Sequence, residues 1–337
     1  MDPDRTKKRK DLLLSEQPMN QSHTTLTRLA TMTPADQYAK IQGIVRYNTA
    51  TLWRQLRWIA EQPCSMRLFR VGSGFLPAST VPEYDHVLKD PAFVKDLSDG
   101  LTGVREFADA HGIRLCMHPG QFTNPCSDKD EVVARSIEDL EYHADLARAM
   151  GYGDTWHSSG FAINIHANSR QDPGLVRIRE FISTKLSPEA RNLITLENDE
   201  FGCSVDDFVD AGVHKDVALV LDIHHHWVES KGEYLLPSDP RAEAFRESWR
   251  GIRPLGHYSL PQPEILNNHC LLTPPDFATL GLKQGKVRSH SNLCWNSGSN
   301  DWALSHLPFM DIEVEAKHKN LASRQLYDQA VLRGLVS

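Results

Sequence analysis

Along the chain, short apolar runs alternate with longer stretches in which apolar residues recur every three or four positions. The short runs are IQGIVRY (41–47), MRLFRV (66–71), IRLCMHP (113–119), FAINIHAN (161–168), LITLEND (193–199), ALVLDIHHH (218–226), VRSHSN (287–292) and DIEVEAK (311–317). Each has strand length, and each reads as a strand. The longer stretches include LWRQLRWIA (52–60), 93–112, 132–151, AEAFRESW (242–249) and LASRQLYDQAVLRG (321–334), which read as amphipathic helices. Strands separated by helices pair in parallel through right-handed crossovers. Eight such units predict one α/β domain, a closed (β/α)8 barrel rather than an open doubly wound sheet. Residues 1–35 read as a polar arm ending in a short helix, and 36–337 as the barrel. Within it, 227–285 breaks the rhythm and reads as a long, proline-bearing excursion at the rim.

The polar positions sharpen this picture. Ionisable residues stand at successive strand ends: Arg70, His118, His166, Glu197, Asp222, His225, His290 and Glu315. In a barrel these ends converge on one mouth, whereas in an open sheet only those at the switch point meet. Imidazoles mixed with carboxylates suit Mn²⁺, Zn²⁺ or Fe²⁺ better than Mg²⁺ alone. Seven such ligands, from His118 to Glu315, are too many for one ion and suit two or three, with Glu197 placed to bridge. On these residues alone two reactions stay open, phosphodiester hydrolysis and sugar isomerisation or epimerisation.

Composition narrows the class. Lys and Arg number 37 against 44 Asp and Glu, a net charge of −7, which argues against binding nucleic acid by bulk electrostatics alone. Bound cations or a local basic site would reverse the field where it matters. The six cysteines form no CxxC pair and read as free thiols of a reducing, cytoplasmic setting. No apolar run approaches membrane-spanning length.

Taken in order, RLFRVGSGFLP (67–77), HPGQF (118–122), NIHAN (164–168), LEND (196–199), DIHHH (222–226) and EAKHK (315–319) resemble the motifs of the UV damage endonuclease family, the UvdE-type repair nucleases. The resemblance spans residues 41 to 332. It implies a TIM barrel related to the endonuclease IV type, with two or three divalent ions, most often Mn²⁺, with Zn²⁺, Co²⁺ or Mg²⁺ as alternatives. It further implies a monomer that acts on damaged double-stranded DNA. The expected reaction is hydrolysis immediately 5′ to a photoproduct, and also at abasic sites, leaving 3′-hydroxyl and 5′-phosphate ends for excision repair. An abasic-site endonuclease without UV specificity is the nearest alternative.

Motif by motif, the resemblance assigns metal binding to His118, His166, Glu197, Asp222, His225, His290, His306 and Glu315. Gln121 and Phe122 fall where the family probes the lesion, and Phe122 replaces the usual tyrosine. Arg70 and Asn168 are expected to contact DNA. Glu197, Arg70, Lys317 and Arg288 are expected to take part in catalysis. Arg288 stands in place of a family lysine, two positions before a metal histidine, that is carboxylated in some members. An arginine forms no such carbamate and stays cationic.

Overall fold

The computed structural model describes residues 19–120, 123–168, 174–265, 271–277, 281 and 284–337. Seven strands form one sheet in chain order: β1 (Leu68–Val71), β2 (Arg114–Met117), β3 (Ala162–His166), β4 (Ile194–Glu197), β5 (Ala218–Asp222), β6 (Leu255–Tyr258) and β7 (Asp311–Val314). Every neighbouring pair is parallel. The result is a nearly closed barrel. Among the described residues β1 and β7 are not paired with each other, and a crevice of about 1550 Å³ runs between them, lined by Phe69 and Arg70 on one side and Ile312 and Glu313 on the other.

Three expectations need correcting. Residues 41–47 are not a strand; they lie inside a 27-residue helix, Pro34–Ala60. Its buried positions Ile41, Ile44, Val45, Asn48, Leu52, Leu56 and Ile59 keep a three-to-four spacing across the whole stretch, which outweighs the β-branched content of the short run. Thr33 caps the helix by accepting from the Asp36 N–H, and Pro34 occupies its first turn. Residues 287–292 are not a strand either: Val287 ends a helical turn, and His290 makes only an isolated antiparallel bridge to Pro261. The sixth strand is instead Leu255–Tyr258, hidden in the supposed excursion behind a glycine and two flanking prolines. Among the described residues the strand count is therefore seven, and the helix Pro240–Glu247 precedes β6 within that segment.

Other elements follow the pattern closely. The stretch 93–112 forms two helices, Pro91–Leu101 and Val104–Ala110, broken at Gly103, whose φ of 86° favours glycine. Helices Asp130–Ala149 and Asn320–Leu332 match the remaining long stretches. Of the polar arm, Leu26–Ala30 forms a short helix that buries Leu29 against the domain, and residues 1–18 lie outside the described residues.

Strand side chains alternate between the barrel interior and the surrounding helices. The apolar outward set includes Leu115, Ile163, Leu196 and Leu219, which join the large helix-packed core. Deep in the interior lie Cys116, Ala162, Ala218, Val220 and Leu255, small enough to admit Trp249, whose Nε1 donates to the Leu219 carbonyl at 2.8 Å. Arg114 stacks on Trp249 and ties β2 to β7 through Asp311 at 2.9 Å. Two residues beyond Cys116, Val220 and Leu255 stand His118, Asp222 and His257, so the packed floor carries an ionisable mouth.

Candidate metal centre

Strand register brings the first ligands together. His166 on β3 is paired with Glu197 on β4, and Asp222 on β5 with His257 on β6. Asn198 locks the β4–β5 ends by donating to the Asp222 carbonyl and accepting from the Asp222 N–H. The chain then turns at Asp222, which caps helix Ile223–Glu229 by accepting from the His225 N–H at 2.7 Å. This cap returns His225 to the mouth three residues beyond its strand.

Among the described residues three overlapping groups result: His118, His166 and Glu197; His166, Asp199 and His225; and Glu197, Asp222, His257 and Glu315. Glu197 is fully buried at the centre and shared by two of them. Its Oε1 lies 3.1 Å from His257 Nδ1 and 3.4 Å from His225 Nδ1, and its Oε2 lies 3.4 Å from His118 Nε2. Two ligand atoms each about 2.1 Å from one ion stand about 3.0–3.4 Å apart, so these separations fit a divalent cation. Buried Glu197 Oε1, Asp222 Oδ2, His166 Nδ1 and His257 Nδ1 lack hydrogen-bond partners, which is costly unless a cation satisfies them. Charge points the same way: among the described residues, the guanidiniums paired with Glu197, Asp199, Glu200, Asp222, Glu313 and Glu315 are those of Arg70 and Arg288.

Backbone carbonyls orient the imidazoles. His118 Nδ1 meets the Pro119 carbonyl at 2.8 Å, and His290 Nδ1 meets the Glu315 carbonyl at 2.7 Å, which leaves Nε2 of each ring outward. His257 is reversed: its Nε2 lies 3.3 Å from Glu313, so Nδ1 faces the cluster. A carboxylate behind a ligand histidine fixes its tautomer and raises its basicity.

Burial resists every charge here, and the partners decide the outcome. For Glu197, His257 and His166 outweigh burial and hold the carboxyl well below the usual range. Burial, reinforced by Glu197 and Glu315, pushes Asp222 up to about 6. Against burial, Asp222, Glu197 and Glu200 push His225 up to about 10, and Glu197 and Glu315 carry His257 well above an ordinary imidazole. Without metal, then, protonated imidazoles neutralise the carboxylates. That contribution to stability is fully present below pH about 6.5 and is lost as pH rises through the folded value of about 10 for His225. A divalent ion must displace those protons, so its affinity should rise between pH 6 and 8, with roughly one to two protons released per chain. Calorimetric titration of chelator-stripped protein with Mn²⁺, in buffers of different ionisation enthalpy, reads this number; an apparent enthalpy independent of buffer would contradict it.

Several expected residues are placed otherwise. His306 is buried behind the barrel wall, where its Nε2 meets the Leu235 carbonyl at 2.9 Å among Leu221, Phe245 and Met310, and it does not join the cluster. Arg70 pairs with carboxylates of the mouth: its Nε and Nη2 lie 2.5 Å from Glu313 and Glu315. His290 borders the cluster through Glu315, but β6 supplies His257 in the ligand position expected of it. His257 and His290 each stand two residues after a neighbour, Leu255 and Arg288, that offers no primary amine for a carbamate. Arg288 is half exposed and pairs with Glu200 at 2.5 Å, while Lys317 is exposed and its backbone N–H donates to the Ser291 carbonyl. Asn168 is half-buried just after β3. Gln121 and Phe122 lie outside the described residues.

The residues missed from sequence are His257, Asp199, Glu200 and Glu313. For Glu313 a signal existed, since Asp311, Glu313 and Glu315 alternate along one strand face. For His257 the only signal was the four-residue run LGHY.

A parallel barrel with imidazoles and carboxylates gathered at its C-terminal mouth defines a barrel enzyme with a candidate polynuclear metal centre. The chain belongs to the UV-endonuclease UvdE family, whose model matches residues 10–335. It is 27% identical over 325 residues to a UV DNA damage endonuclease of Bacillus cereus (strain B4264), covering 92% of this chain and 90% of that protein. A UV DNA damage endonuclease of Nostoc sp. is 26% identical over 309 residues, covering 90% and 83%. Among solved structures, that of SacUVDE superposes with a TM-score of 0.69 at 24% identity over 93% of both chains, which supports the barrel fold.

Proposed function

We propose that this protein is a metal-dependent DNA endonuclease that hydrolyses the phosphodiester immediately 5′ to UV photoproducts, and more weakly at abasic sites, leaving 3′-hydroxyl and 5′-phosphate ends. The observation that carries the reading is the central carboxylate Glu197, buried, shared between two ligand groups and lacking a partner for Oε1. His118 and His166 would share one ion with Glu197; Asp222, His257 and Glu315 would hold a second; Asp199 and His225 would hold a third with His166. Mn²⁺ suits this mixed nitrogen and oxygen donor set. Such ions lower the pKa of water and stabilise charge on phosphoryl oxygens.

The chain's own residues do the rest. Glu313 and the backbone carbonyls keep the imidazoles aimed at the centre, and Arg70 balances Glu313 and Glu315 from below. Damaged duplex DNA is the proposed substrate, because a lesion weakens stacking and lowers the cost of bending or extruding a nucleotide into the mouth. The five described cysteines form no disulfide, which accords with the proposed action in a reducing cytoplasm, and a monomer is the proposed form.

The test uses Mn²⁺-loaded protein and three end-labelled duplexes: undamaged, with one photoproduct, and with one abasic site. A nick directly 5′ to the photoproduct, weaker cutting at the abasic site and almost none on undamaged DNA are expected. Equal cutting of all three would refute lesion recognition. No cutting, together with turnover of a phosphorylated sugar, would place the protein among barrel isomerases.

A further inference from the structure

Between β4 and the next helix the chain holds one outward aromatic in an otherwise buried run. Glu200 is 2% exposed, and Gly202 and Cys203 are buried, yet Phe201 between them is 51% exposed. The loop is fixed on both sides. Asp199 Oδ1 accepts the N–H groups of Phe201 and Gly202, each at 2.7 Å, while its Oδ2 lies 3.2 Å from His166 in the metal centre. Cys203 donates to the Ala167 carbonyl, and Gly202 passes so close to that carbonyl that a Cβ would sit 2.2 Å from it. Phe201 is therefore held beside the centre by its backbone, through a carboxylate that also touches a ligand histidine.

The ring itself is backed on one side. The Arg288 guanidinium lies 5.1 Å from its centroid and is anchored by Glu200 at 2.5 Å. A cation on one face supports the ring in a fixed attitude and leaves the remaining exposed surface for another flat partner. Burying this ring by folding would have been favourable; instead the loop spends rigid geometry to keep it out.

We infer that Phe201 is a base-stacking contact at the rim of the mouth, with Arg288 as its backing and an unstacked or lesion-flanking nucleobase as its partner. The inference rests on DNA being the substrate and deepens that reading. Stacking is tolerant of base identity, so the contact serves a nuclease that reads damage rather than sequence. It lies on the β4 side of the mouth.

The experiment compares wild type with Phe201→Ala, Phe201→Leu and Phe201→Trp, all loaded with Mn²⁺, on a photoproduct duplex carrying 2-aminopurine beside the lesion. Wild type and Phe201→Trp should change 2-aminopurine emission on binding and cut within about threefold of each other, because both present a flat ring. Phe201→Leu and Phe201→Ala should lose the emission change and fall about 10- to 100-fold in binding and kcat/KM, with metal content and Tm unaltered. Leucine binding and cutting like wild type would overturn the contact. So would loss of metal in proportion to activity, which would reduce the loop to a scaffold. Should wild type bind and change the emission without cutting any duplex, the nuclease reading fails while the stacking contact stands.

Discussion

Replacing Glu197 with Gln should lower single-turnover nicking of a photoproduct duplex by on the order of 1000-fold or more, with at least one divalent ion lost per chain. The direction follows from atoms. Asn164 Nδ2 already donates to Glu197 Oε2, so an amide at this position keeps its oxygen there and turns its NH₂ toward His257 and His225. A donor then stands where the group of Asp222, His257 and Glu315 needs a lone pair, and the negative charge that balances the imidazoles is gone. The apolar core packs between strands and helices, away from this side chain, so far-UV circular dichroism should be unchanged. Elemental analysis and gel-based nicking read the two losses together. Near-wild-type cutting by this variant would end the proposed role of the centre.

The second large effect separates two histidines: His306, which the sequence assigns to the metal, and His257, which it misses. His257→Ala should cost roughly 100-fold or more in cutting and release the ion of the Glu197–Asp222–His257–Glu315 group, because it removes a fully buried ligand and leaves Glu313 with Arg70 as its charged partner. His306→Ala should leave cutting within about twofold and metal content intact. It should instead lower stability by about 0.5–1.5 kcal/mol, since the Leu235 carbonyl loses one of two buried partners and keeps Trp302 Nε1 at 2.8 Å. Side-by-side metal content, Tm and nicking rates for the two variants provide the check. A metal-depleted His306→Ala protein with wild-type Tm would reverse the assignment.

Much of this site was legible because barrel strands are short and end in the same place. His118, His166, Glu197, Asp222, His225 and Glu315 each follow an apolar run, and the structure gathers all six at one mouth. The expectation failed where local pattern carried too little information. LGHY holds two apolar residues besides its histidine and glycine, and it sits among prolines, so its neighbours masked it. VRSHSN looked more like a strand end, yet it forms no strand and meets its neighbours through one antiparallel bridge and single backbone hydrogen bonds. The run 41–47 shows the opposite error: seven residues of β-branched character were read without the 20 that continue their helical spacing.

What the amino-acid sequence determined by itself is the alternation of strands and helices, the ionisable strand ends and hence the donor chemistry of the mouth. These depend on spacing and residue type, which are local. Tertiary structure alone decided which histidine completes the centre, that Arg70 turns inward to Glu313 and Glu315, and that His306 stays behind the wall. Those outcomes depend on inter-strand register, on which strand face looks inward and on how far the curved sheet brings β7 round toward β1. Such relations join residues nearly 250 positions apart, as in the pairing of Arg70 with Glu315, and no spacing along the chain encodes them.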